Sequence, residues 1–147
     1  MDKRELLEAF LTSLSKMKRQ IEQQSNTSVE ERMATMLQIH SLDFIAENPL
    51  STPSQVAGFL CLSSSSTAQL IDRLITSSWI KRVPDEYDRR IVHLELTDSG
   101  KKQLQDLKKR RAERFSPILT HVPKRDLEEL VRIMDTISIA FEKGGNK

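Results

Sequence analysis

A single cysteine, Cys61, stands among the 147 residues, which excludes an internal disulfide. It also excludes a cysteine-based zinc site. Structural zinc needs several Cys or His ligands at close spacing, and His40, His93 and His121 show no such spacing. Glycine and proline are scarce, with 4 and 5 residues. No Gly-rich phosphate loop, metal constellation or Ser/His/Asp arrangement can be assembled, so the expectation is a protein that is not an enzyme and takes no cofactor. Charge of one sign is also missing, since the formal net charge is only +2. A basic excess over the whole molecule therefore cannot argue for a polyanionic partner, and only the local distribution of charge can. No apolar run approaches the roughly 20 residues that cross a bilayer. The opening Met-Asp-Lys-Arg-Glu has no apolar export region and no cleavage site. A cytoplasmic protein without a membrane partner is expected.

What the chain does have is helical periodicity. Charged residues make up 30% and hydrophobic residues 37%, a balance that suits amphipathic helices. The length suits one domain, 1–147, with a real core. Leu7, Phe10, Leu14, Met17 and Ile21 alternate three and four apart, the spacing of a coiled-coil seam. A polar break at 25–28 separates them from a second helix, marked by Val29, Met33, Met36, Leu37, His40, Phe44 and Ile45 and stopping before Pro49. Thr52, Pro53 and Gln55 then form a helix start: Thr52 caps, Pro53 opens the first turn, and Gln55 reaches back to the cap amide. Val56, Ala57, Phe59 and Leu60 give that short helix its inner face, and it should end near Cys61 or Leu62. The serines at 63–66 cap the next helix, which carries Thr67, Leu70, Ile71 and Leu74 inward.

Two short helices in this order outline a helix-turn-helix. The β-prone runs 79–83 and 91–96 follow, joined by a polar turn at 84–89, and read as a hairpin. A hairpin after a helix-turn-helix is a wing. Thr97 caps a long helix with Leu104, Leu107, Phe115, Ile118 and Leu119. A last helix carries Leu127, Leu130, Val131, Met134, Ile137 and Phe141, and ends at Gly144 and Gly145. The expected fold is mainly α with a small β-hairpin: a winged helix-turn-helix lobe at 50–100, flanked by helices at 1–28 and 115–147 whose apolar stripes call for a partner subunit.

Asp88-Arg89-Arg90, followed by Leu94, Leu96, Thr97 and Gly100, resembles the D-x-R wing and L-T-x-x-G signature of the MarR family of bacterial winged-helix regulators. The resemblance extends through Gln55-Val56-Ala57, Leu70-Ile71-Asp72-Arg73-Leu74, Ile80 and Arg82. It implies a transcriptional regulator, a ligand-responsive repressor, that binds double-stranded DNA as a homodimer on a palindromic site. Ser78 departs from the pattern, standing where the family has the glycine that ends the recognition helix.

Within this reading Gln69 is the base reader, because Gln can pair bidentately with adenine. Ser64, Ser65 and Ser66 would hold phosphates with the helix N-terminal amides, or else be a cap and solvated surface. Arg73 adds a cation to the same helix. Arg89 and Arg90 would enter the minor groove, with Asp88 fixing Arg90 or Arg73 in place; the alternative is a solvated charge cluster. The basic run 108–111 faces phosphate, an acidic partner or solvent. Met33, Met36, His40 and Phe44 share a helix face that the resemblance offers to a small aromatic or phenolic effector, against an ordinary core with His40 partly buried. Cys61 is a buried inert thiol or, as in some relatives, a peroxide sensor. The rival class is a winged-helix module used for protein contacts, which would have no need for paired arginines in the wing.

Overall fold

The structure, a computed structural model, describes residues 1–144. Gly145, expected to help end the last helix, and the tail of the 115–147 segment lie outside the described residues. The described chain runs α1 (Lys3–Gln24), α2 (Val29–Glu47), α3 (Pro53–Leu60), α4 (Ser64–Thr76), β1 (Ile80–Pro84), β2 (Val92–Leu96), α5 (Asp98–Leu119) and α6 (Lys124–Gly144). Two compact units divide within α5, one Met1–Leu104 and the other from Gln105 on.

In the first unit α3 packs on both α2 and α4, and all three helices pack on the hairpin. Ile39, Leu42 and Ile45 from α2 meet Val56 from α3, Leu70, Ile71 and Leu74 from α4, and Ile80, Leu94 and Leu96 from the strands in a buried core. Their spacing explains the elements: 39, 42 and 45 trace one stripe of a helix, while Leu94 and Leu96 point to one face of a strand. The strands pair antiparallel, with Ile80 opposite Leu96 and Pro84 opposite Val92. Phe59, expected on the inner face of α3, instead stays half exposed and stacks on Phe44, with ring centroids 4.5 Å apart. On an eight-residue helix with core on one side only, a side chain three positions after Val56 reaches the edge of the interface rather than its centre.

The helix starts follow their caps. Thr52 Oγ1 accepts from the Gln55 amide while Gln55 Oε1 accepts from the Thr52 amide, closing a capping box ahead of Pro53. Ser63 Oγ accepts from the Ser66 amide and Thr97 Oγ1 from the Gly100 amide. Thr97 Oγ1 also donates to the Ser78 carbonyl, so one hydroxyl joins the end of the turn after α4 to the start of α5.

That turn depends on Ser78, whose φ of 62° is left-handed. With Trp79 N–H donating to the Leu74 carbonyl and Ser78 N–H to the Ile75 carbonyl, it closes α4 as a glycine would. A left-handed conformation costs a residue with a Cβ about 1–2 kcal/mol. Ser78→Gly is therefore expected to stabilise the protein by about 0.5–1 kcal/mol after the extra freedom of glycine in the unfolded chain is subtracted. Urea denaturation would show this as a raised midpoint at unchanged slope, and a lowered midpoint would refute it.

Within their units, α1 and α6 bury no residue. Leu7, Phe10, Leu14 and Met17 on the first and Leu130, Val131, Met134 and Phe141 on the second remain open to solvent. No helix among the described residues is long and apolar enough to cross a membrane.

Candidate nucleic-acid interface

The exposed side of α4 is set by its buried side. With Thr67, Leu70, Ile71 and Leu74 facing the core, the helical period turns Ser65, Ala68, Gln69, Asp72 and Arg73 outward. Ser65 and Gln69, four apart, lie one above the other on that face. Ser64 and Ser65 occupy the first turn, where amides have no carbonyl acceptor within the helix. Ser66 is partly spent on the cap, since its amide donates to Ser63 Oγ and its hydroxyl meets the same oxygen at 3.0 Å. Asp72 is also spoken for: its Oδ1 accepts from Arg82 Nη2 of β1 at 2.8 Å. This pair ties the exposed helix to the hairpin. Sequence reasoning placed both residues in the family pattern without pairing them.

The wing is ordered by two aspartates in series. Asp85, the first residue of the loop, accepts the Tyr87 and Asp88 amides on Oδ1, each at 2.9 Å, folding the chain back on itself. Asp88 then accepts the Arg90 amide and Nε on Oδ1, at 3.0 and 3.1 Å, and Arg90 Nη2 on Oδ2 at 3.1 Å. Of the two arginines proposed for Asp88, the structure pairs it with Arg90. The Arg90 guanidinium beside it holds the Asp88 carboxyl below the usual range, and Asp88 in turn raises Arg90. Arg90 is still 90% exposed at its side chain while Asp88 is 35% exposed, so the fork presents a cation outward from a fixed base. Arg89 is exposed beside it.

Under the wing lies a group that sequence reasoning missed. His93 of β2 holds the Asp85 carboxylate through Nε2 at 2.7 Å and the Leu50 carbonyl through Nδ1 at 2.6 Å. The hydrogen bond from His93 lowers the Asp85 carboxyl to about 2, helped by the Asp88 and Tyr87 amides. Asp85 in return raises His93 above its ordinary value. Leu50 turns its carbonyl toward the imidazole in a left-handed conformation, φ 63°, and the next residue, Ser51, accepts the Leu94 amide at 2.7 Å. The wing is thus stitched to the α2–α3 loop. No local signal announces this, because the partners are 43 residues apart.

The remaining sequence candidates scatter. Met33, Met36 and His40 are exposed on α2, so His40 is not the partly buried core residue weighed against a pocket. Phe44 instead lines an open groove of about 710 Å³ with Glu47, Leu50, Ser51, Gln55 and Phe59. Cys61, expected to be buried, is exposed: it ends α3 in a left-handed conformation, φ 54°, with Sγ 3.8 Å from the Gly58 carbonyl. The left-handed cap points it away from the core. Among the described residues no group of His, Cys, Asp and Glu could hold a metal ion.

Residues 34–92 match the model of the MarR family. Over 49 residues the chain is 41% identical to the HTH-type transcriptional regulator PecS of Dickeya dadantii, a stretch covering 33% of this chain and 30% of that protein. It is 27% identical to the uncharacterized HTH-type transcriptional regulator YpoP of Bacillus subtilis, over 71% of this chain and 73% of that one. The YusO protein from Bacillus subtilis shares the fold with a TM-score of 0.70 at 21% identity, over 95% of this chain and 99% of that one. A MarR transcriptional regulator from Methanosarcina mazei Go1 matches at 27% identity and a TM-score of 0.60, over 74% and 76%.

Proposed function

We propose that the chain is a MarR-family winged-helix transcriptional regulator, a ligand-responsive repressor that binds a palindromic DNA site as a homodimer, a reading supported by the match of residues 34–92 to that family's model. The observation that carries the DNA reading is the Asp88–Arg90 fork, which presents a guanidinium outward from the wing. Arg90 and Arg89 enter the minor groove, where a narrow groove concentrates negative potential. In the adjacent major groove Gln69 reads a base edge, Ser64 and Ser65 with their amides meet phosphate, and Arg73 follows one turn on. A module built for protein contacts would not need a guanidinium held in this way.

The homodimer is supported by the solvent-open apolar stripes of α1 and α6, which exceed the scattered exposure of ordinary monomers. A two-fold pair would set two copies of α4 about one duplex turn, roughly 34 Å, apart. Met33, Met36 and His40 on α2 supply the open face where a small aromatic or phenolic effector would alter that spacing.

The test is binding to palindromic promoter fragments across salt concentrations. The logarithm of affinity is expected to fall linearly with the logarithm of salt. Gln69→Ala is expected to cost about 1–3 kcal/mol against the preferred base at one position per half-site, and to bind sites altered there as well as the native one. Absence of salt-dependent binding at every site, its own promoter region included, would move the chain to the protein-contact class.

A further inference from the structure

Both nitrogens of His93 face groups that can only accept. The Leu50 carbonyl has no proton to give, and Asp85, lowered to about 2, is ionised throughout the neutral range. A neutral imidazole carries one N–H and could satisfy one of the two. Only the imidazolium, with an N–H on each nitrogen, satisfies both acceptors at once.

The charge sits at the head of a chain of hydrogen bonds. From the Leu50 carbonyl the chain passes through His93 to Asp85 Oδ2; Asp85 Oδ1 holds the Asp88 amide, and Asp88 holds Arg90. We propose that His93, as an imidazolium, is the positioning residue of the wing: it fastens the Asp85 turn, and through it Asp88 and Arg90, to the α2–α3 loop, so that loss of its proton loosens the wing tip and weakens DNA binding. This rests on the regulator reading above.

The groups around His93 leave Asp85 as the dominant partner. On its own strand Glu95 shares its face but is paired with Lys81 of β1 at 3.8 Å. Opposite it on β1 is Val83, which is uncharged. In the turn, Asp88 is engaged by Arg90. At the end of α2, Glu47 lines the groove that Leu50 also lines, and Gln55 of α3 is occupied in its capping box. The sign follows from the raised folded value of His93: the link is complete below its unfolded value near 6.5 and is lost as pH rises through the folded one. Asp85 moves the other way, so its contribution is complete above 3.8 and lost as pH falls toward 2. The wing is held between these limits.

The experiment measures affinity of the full chain for a promoter fragment from pH 6 to 9 at constant ionic strength, for the native protein, His93→Gln, Asp85→Asn, and a His121→Gln control. Native affinity is expected to fall at least about fivefold, the lower end of ordinary coupling between sites, with a midpoint matching the His93 ring titration seen by NMR. His93→Gln should be weak and pH-independent. Asp85→Asn, which keeps the imidazole, should move the midpoint toward acid, and the control should follow the native profile. Hydrogen exchange at the Leu94 and Arg90 amides should quicken over the same pH range. A native protein that binds DNA with affinity indifferent to the His93 titration would overturn the proposal while leaving the regulator reading intact. If no DNA is bound at any pH the regulator reading fails instead, and the wing latch then stands or falls on whether exchange tracks His93.

Discussion

Gly100→Ala is expected to destabilise the protein by about 3 kcal/mol or more, the upper range for overpacking a close contact. Gly100 lies in the first turn of α5, and a Cβ there would stand 1.8 Å from the Trp79 carbonyl oxygen and 2.9 Å from a Leu96 methyl. The oxygen is backbone and already accepts the Thr97 amide, so it cannot swing aside as a side chain could. Relief requires α5 to back away from the hairpin, which breaks the Thr97 cap and uncovers Leu96 and Ile80. Helix propensity alone predicts the opposite sign, since Ala in place of Gly within a helix gains about 1 kcal/mol. Denaturant midpoints therefore separate the two effects cleanly. A change smaller than 1 kcal/mol would mean that the close approach is not kept in solution. The glycine of the L-T-x-x-G pattern thus has a steric reason, and Gly100 needs no unusual backbone angle to explain it.

The second large effect is at the wing tip. Arg90→Ala is expected to weaken binding to a specific site by roughly 10- to 100-fold and to lessen the salt dependence, because the proposed dimer would lose one cation from each half. The sharper variant is Asp88→Asn. It removes a negative charge from the proposed DNA-facing wing, so charge counting predicts tighter binding. The geometry predicts weaker binding, because the Asp88 carboxylate holds the Arg90 guanidinium through both of its oxygens and an amide can offer only one acceptor. Titrations of the two variants against one promoter fragment, at two salt concentrations, decide the matter. Tighter binding by Asp88→Asn would show that the arginine needs no anchoring, and would remove the support that the fork gives to the DNA reading.

Much of the fold was legible because its signals are local. The Thr52–Gln55 box, the Ser63 and Thr97 caps and the stripe of Thr67, Leu70, Ile71 and Leu74 depend on neighbours within one or two turns, and each stands where the residue pattern put it. The hairpin was also legible, with strands beginning at Ile80 and Val92 rather than one residue earlier. Trp79 is taken instead by the turn that Ser78 makes, its carbonyl serving the Thr97 amide. The exposed Cys61 and the Phe44–Phe59 stack went the other way, because burial depends on which element arrives from elsewhere.

The wing that opened the identification shows the same division. Its arginines, aspartates and turn could be named from residue types alone, since a turn-rich polar loop between two β-prone runs has few other outcomes. Which aspartate holds which arginine, that Asp72 belongs to Arg82, and that His93 bridges Asp85 to Leu50 were decided only by tertiary structure. Those contacts join segments 8 to 43 residues apart or choose among several equally near charges, and charge and spacing along a chain do not rank such choices. Packing does, by fixing where each backbone can stand.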